Sequence, residues 1–187
     1  TLRRHRHPRA RRREGHRGSP HADLRAEPPQ SHGLSAAELR AHVLSMAQQA
    51  VRSIDILTHH MDPAIYDSAD LEQAFFQLVR GHEKARVRIL CYDTRIAVAN
   101  GHALVRQAQN MTSSIAIQQP SSEHSGMRTG YVVIDRRGLI TRKNEADGSY
   151  VATVNYNTVQ DAVKISDDFE LMWQHSTPDS QIRRIYM

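Results

Sequence analysis

The stretch Met127-Arg128-Thr129-Gly130-Tyr131-Val132-Val133-Ile134-Asp135 decides how this chain folds. Residues 131–134 are an unbroken run of aromatic and β-branched side chains, too short for a helix, and they predict a buried strand. Asp135-Arg136-Arg137-Gly138 predicts a hairpin turn into a second strand over 139–142, and a third strand is expected over 150–154.

Upstream of this stretch the rhythm is different. Ser35-Ala36-Ala37-Glu38 has the form of a capping box, and Leu39, Val43, Leu44, Met46, Ala47, Ala50 and Val51 repeat behind it at helical spacing. A strand over 53–58 follows, then the polar loop His59-His60-Met61-Asp62-Pro63, then an amphipathic helix over 69–81 built on Leu71, Ala74, Phe75, Leu78 and Val79. A strand over 87–92 is followed by Asp93, read as the N-cap of one helix carrying Ile96, Val98, His102, Leu104 and Val105, and by a strand over 115–118. Alternating strands and helices imply parallel strands joined by right-handed crossovers. A final helix over 158–175 carries Ala162, Ile165, Phe169 and Trp173, with Trp173 expected to be mostly buried beside Phe169. The fold class is therefore α/β, a mixed sheet with a parallel centre flanked by helices.

The 187 residues suffice for one domain, and 39% hydrophobic with 24% charged residues lies in the globular range. The net charge of +5 is unevenly spread. Residues 1–33 hold nine basic residues against Glu14, Asp23 and Glu27, while residues 34–187 hold 16 basic and 17 acidic ones. The basic excess thus sits in the first segment, and the remainder has no electrostatic footprint for a nucleic-acid duplex. Residues 1–33 have only Leu2 and Leu24 as large aliphatics, with five His and four Pro, so they are read as a disordered basic segment. Their Arg, His, Pro, Ala and Gly are also what a GC-rich gene yields out of frame, and the chain begins with Thr; a fragment or out-of-frame remnant is the competing reading. Residues 34–187 form the domain. Cys91 is the single cysteine, which favours a reducing compartment, and the longest apolar runs are strand-sized, so a soluble cytoplasmic protein without membrane contact is expected.

The order of elements over about 34–186 resembles one half of a phospholipase D-like domain. The run ending in Asp135, the turn after it, Asn155-Tyr156-Asn157 and the spacing Phe169-x3-Trp173 carry that resemblance. The superfamily places His-x-Lys-x4-Asp on a buried strand. In the register fixed by Asp135, Arg128 falls at the nucleophilic His and Gly130 at the phosphate-binding Lys, so the resemblance implies a degenerate motif. Asn155-Tyr156-Asn157 falls where active members place Ser and Asn after the motif. Asp93-x-Arg95, Gly101-His102, Ser114 and the Phe169/Trp173 helix resemble a bacterial subgroup that lacks the catalytic pair and is often found C-terminal to a GNAT-type acetyltransferase domain. The resemblance implies a non-catalytic interaction or regulatory domain, with a second copy or an acetyltransferase domain as partner. A guanidinium that stays protonated cannot form a covalent phospho-intermediate.

His59, His60 and Asp62 after the first strand, and Asp93, Arg95 and His102 after the second, share the carboxyl edge of the parallel strands, where open α/β sheets bind ligands. They form the candidate ligand pocket, for an anionic group with Arg95, Arg128 and helix amides as donors. Plain structural roles compete for each: Asp93 as a cap, Arg95 in an ion pair, His102 hydrogen-bonded in the core. No cofactor is expected. A zinc site from His59, His60, Asp62 and His102 is disfavoured because neighbours on an extended segment face opposite ways. Cys91 reads as a core residue, and His124, eleven residues before Asp135, does not fit the motif spacing. Two other functions stay open: a residual phosphodiesterase or nuclease using His59, His60 or His102, and a nucleic-acid binder acting through the Arg-rich segment.

Overall fold

The computed structural model describes residues 30–183. The helix α1 (Ala36–Gln49) starts in the expected capping box: Ser35 Oγ accepts from the Glu38 amide at 3.2 Å, and the Glu38 carboxylate accepts from the Ser35 amide at 2.8 Å. The chain continues through β2 (Ser53–Thr58), the short helix α2 (Pro63–Tyr66), α3 (Ala69–Gly81), β3 (Arg86–Cys91), α4 (Arg95–Ala99), α5 (Ala103–Asn110) and β4 (Ile115–Gln119). Then come β5 (Gly130–Ile134), β6 (Gly138–Arg142), β7 (Val151–Asn155), α6 (Val159–Gln174) and β8 (Thr177–Pro178). A first strand, β1 (Gln30–Gly33), precedes them all.

One mixed sheet organises these elements in the order β1-β7-β6-β5-β2-β3-β4-β8. The pairs β2–β3 and β3–β4 are parallel; every other pair is antiparallel. Period-two alternation sends Ile54, Ile56, Val87, Ile89, Val132 and Ile134 to the face under α1, α3 and α5, and Leu57, Leu90, Tyr131 and Val133 to the face under α6. Both faces are covered, which is why these strands read as unbroken apolar runs. On the α6 face one polar pair interrupts them. Asp55 and Arg88, in register on β2 and β3, form a two-point ion pair at 2.8 and 3.2 Å, and Arg88 also reaches Glu170 at 2.6 Å. The guanidinium lies 5.0 Å from the Phe169 ring centre and 5.4 Å from that of Trp173, so α6 docks on a cation as well as on apolar surface.

The structure corrects the sequence reading in three places. The boundary at Gly33 is too late, because residues 30–33 pair antiparallel with β7 through main-chain bonds that their polar side chains do not announce; residues 1–29 lie outside the described region. The helix expected after Asp93 is two helices, broken at Asn100 and at Gly101, whose φ of +64° leaves the helical region. Trp173 is mostly buried as expected, stacked on Phe169 at 5.9 Å near the end of α6 with part of its surface left to solvent, while Phe169 fills the core. Finally, Asn155-Tyr156-Asn157 stands at the opposite end of the sheet from the loop after β2, since Asn155 pairs with Leu139 while Ala152 pairs with Arg142 and Arg142 with Gly130.

Candidate functional site

The turn after β2 is shaped by hydrogen bonds. Thr58 Oγ1 accepts from the Met61 amide at 3.3 Å, and Met61 adopts a φ of +54°, a left-handed conformation that costs a non-glycine residue on the order of 1 kcal/mol. Asp62 N-caps α2, accepting from the Ala64 amide at 3.0 Å. This tight reversal points His59 and Asp62 toward the start of β5 and the end of β6.

There they meet two residues that sequence reasoning missed, Arg142 at the end of β6 and Glu145 in the 3-10 turn Glu145–Asp147. Glu145 is buried and accepts from Thr58 Oγ1 at 2.6 Å and from the His59 amide at 2.8 Å. His59 Nδ1 lies 2.7 Å from the same carboxylate, and its Nε2 lies 2.7 Å from the Met127 carbonyl oxygen. The imidazole is stacked on Tyr92 with ring centres 4.8 Å apart. Arg142 links the two acids: Nη1 is 3.7 Å from Glu145 and Nη2 is 3.4 Å from Asp62, which also accepts from the Tyr150 hydroxyl at 2.9 Å. The guanidinium packs over the Tyr150 ring at 4.6 Å. Burial and the Glu145 charge hold the neighbouring phenols in their neutral form, Tyr92 pushed up to about 12 and Tyr66 higher still.

Gly130 makes room for this network. A Cβ there would stand 3.0 Å from Glu145 Oε2 and 3.0 Å from the Leu57 carbonyl oxygen, so the carboxylate fills the space a side chain at 130 would need. Arg128 lies on the surface, ion-paired with Asp147. Asp135, at φ +52°, accepts three amides, Val51 at 2.8 Å, Arg52 at 2.7 Å and Ser53 at 2.9 Å, and so clamps the entry to β2.

The side chains of Asp93, Arg95 and His102 take no part in this network, although the Asp93 amide donates to the His59 carbonyl at 2.8 Å. Asp93 and Arg95 form a surface pair at 2.7 Å, which draws the Asp93 carboxyl down to about 2, with a smaller contribution from His60. Both line a polar cavity of about 310 Å³ with Gln119 and Asp179 at the carboxyl edge of β3 and β4. His102 caps α5: Nδ1 accepts from the Leu104 amide at 3.2 Å, and burial lowers its pKa against the pull of Asp67. Among the described residues no three His, Cys, Asp or Glu side chains are grouped as metal ligands, and no helix is long and apolar enough to cross a membrane. Cys91 is buried, and its thiol is pushed above its ordinary range by that burial.

The sheet order and helix placement define a class, the phospholipase D-like fold, and solved structures share it. Nuc from Salmonella typhimurium, a phospholipase D family member, superposes with a TM-score of 0.54 at 16% identity, covering 81% of this chain and 97% of that one. NucT from Helicobacter pylori gives 0.51 at 10% identity, covering 81% and 98%. TrmBL2, an archaeal chromatin protein described with a novel mode of DNA binding, gives 0.59 at 9% identity, covering 86% of this chain and 57% of that one. At these identities the likeness is one of fold. The chain belongs to the family described as Domain of unknown function (DUF7931), whose model matches residues 35–185. No curated protein matches the sequence.

Proposed function

We propose that this domain is a non-catalytic phospholipase D-like module acting by interaction or regulation. The observation that carries the reading is the buried Glu145 carboxylate 3.0 Å from the Cβ position of Gly130. In the register fixed by Asp135, that is where a phosphate-binding lysine belongs. A negative charge there repels a phosphodiester, and removes the electrostatic stabilisation that phosphoryl transfer depends on. Arg128, at the place of the nucleophile, is turned to solvent in an ion pair and cannot carry a covalent intermediate. A module of this kind needs a partner, and a second copy of the chain or an acetyltransferase domain remains the proposal for it.

One observation favours a second reading, a residual phosphodiesterase. His59 is oriented by Glu145 as a catalytic imidazole is oriented by its carboxylate. Its Nε2, the nitrogen that would attack or take a proton, is however bonded to the Met127 carbonyl. Hydrolysis of bis-p-nitrophenyl phosphate by the wild-type chain, beside a His59→Ala/His60→Ala/His102→Ala variant, tests both. No turnover above buffer is expected from either; turnover that the triple variant abolishes would overturn the non-catalytic reading.

A further inference from the structure

Helices α1 and α3 do not close on each other along their outer side. Between them lies a cavity of about 440 Å³, with Ala47, Ala74 and Leu78 as a buried floor and Gly81 beyond them on α3. Gln48, Gln73 and Gln77 stand exposed along its sides, and Val51, 65% exposed, lines it just past the end of α1. Among the described residues no lysine or arginine lines it; Asp70 and His82 are its polar ends on α3. An apolar floor with glutamine sides and little charge is the composition of an interface core rather than of a solvated face. The cavity shares no residue with the network around Glu145.

We propose that the occupant is a second copy of the chain, laid with its α3 antiparallel to this one across a two-fold axis. Asp70, Gln73, Ala74, Gln77 and Gly81 recur three and four apart on one flank of α3, and that flank is its own complement when reversed. With the axis between Phe75 and Phe76, Asp70 of each copy meets Gly81 and His82 of the other, and Gln77 of each meets Ala74 of the other. The first match is chemical. The Lys84 amide donates to His82 Nδ1 at 3.2 Å, so the ring carries its proton on Nε2 and offers a donor to an exposed carboxylate. The second match is one of size, a long side chain over a small one with room beneath it. A foreign helix would not require α3 to match itself from both ends. Glutamines near the axis both donate and accept, so they tolerate their own copies where like charges would repel. The dimer deepens the interaction reading above by naming partner and surface. It involves neither Glu145 nor Gly130, so its failure and the failure of the non-catalytic reading are told apart.

Sedimentation velocity of the full chain, from micromolar to millimolar concentration, tests the proposal. A reversible monomer–dimer equilibrium is expected. His82→Asp sets a carboxylate against Asp70 of the second copy and should weaken the dimer by about tenfold or more; Asp70→Lys removes the acceptor and should weaken it too. Together the two substitutions face a lysine with a carboxylate and should bring the dimer back close to wild-type affinity. A chain that stays monomeric throughout overturns the proposal and leaves the cavity to a foreign partner. So does a dimer that neither single variant weakens, or a double variant in which the two losses simply add. Should a variant lose its fold, wild type decides alone: amide shifts of the 15N-labelled chain that change with concentration at Ala47, Ala74 and Gln77 support the dimer, and concentration-dependent shifts that leave these amides unmoved overturn it.

Discussion

At position 130 a single methyl group would be felt. The Leu57 carbonyl at 3.0 Å belongs to the backbone of β2 and cannot retreat, and the Glu145 carboxylate beside it is held by three donors. Gly130→Ala is expected to destabilise by about 1–3 kcal/mol, the usual cost of overpacking, read from urea unfolding; an unchanged midpoint would show that the carboxylate is free to move. Asp135 gives the complementary case. Its three accepted amides lie near the surface, where water can replace part of what is lost, so Asp135→Ala should cost about 1–3 kcal/mol in the same measurement. An Asp135→Ala protein as stable as wild type would show that the carboxylate does not hold the entry to β2. The sequence places both residues in a strand-and-turn register but discloses neither role. The groups they serve are far away in the chain: Glu145 is 86 residues from His59, and Val51 is 84 from Asp135.

Helix α6 is where an element's own pattern and its tertiary partners can be separated. The apolar spacing of Ala162, Phe169 and Trp173 announces the helix; the Arg88 guanidinium against which it docks is invisible to periodicity because it comes from β3. Phe169→Ala should cost about 3–5 kcal/mol and Trp173→Ala clearly less, since Trp173 keeps solvent on one side. Equal costs would mean that the end of α6 is docked more deeply. Glu170 is drawn below its ordinary pKa chiefly by its hydrogen bond to Arg88. A depressed carboxyl contributes stability above its unfolded pKa and loses it as pH falls through the folded one. Wild type should thus exceed Glu170→Gln by under about 1 kcal/mol near neutrality, given the exposure of Glu170, and the gap should close in acid. A gap that grows in acid would contradict the assignment. The strands of both faces were legible for the reason that α6 was. The break between α4 and α5 was not, because Gly101 and His102 sit within an apolar pattern that carries straight across them.

For the whole molecule, the parallel centre and the later antiparallel strands follow from the change in rhythm after β4, and the fold class with them. The site did not follow as fully. His59 and Asp62 belong to one network, yet Asp93 and Arg95 pair on the surface and His102 caps a helix, because sharing an edge in the topology does not fix which way side chains turn. The edge strand β1 makes a separate test of boundaries. Removing residues 1–29 should leave the melting temperature nearly unchanged, while removing 1–33 strips β7 of its partner and should lower it by a few degrees, about what a loss of 1 kcal/mol produces. Equal melting temperatures for the two truncations would show that β1 contributes nothing.

The Glu145 carboxylate fills the space beside Gly130, where the proposed reading puts the phosphate of an active relative. Titrating the 15N-labelled chain with inorganic phosphate or tungstate, while following the amides of Thr58, His59 and Gly130, shows whether an anion still enters that space. No saturable shift is expected at these amides at millimolar anion. A saturable shift confined to them, lost in His59→Ala, would show that the site still binds phosphate and that Glu145 does not exclude it.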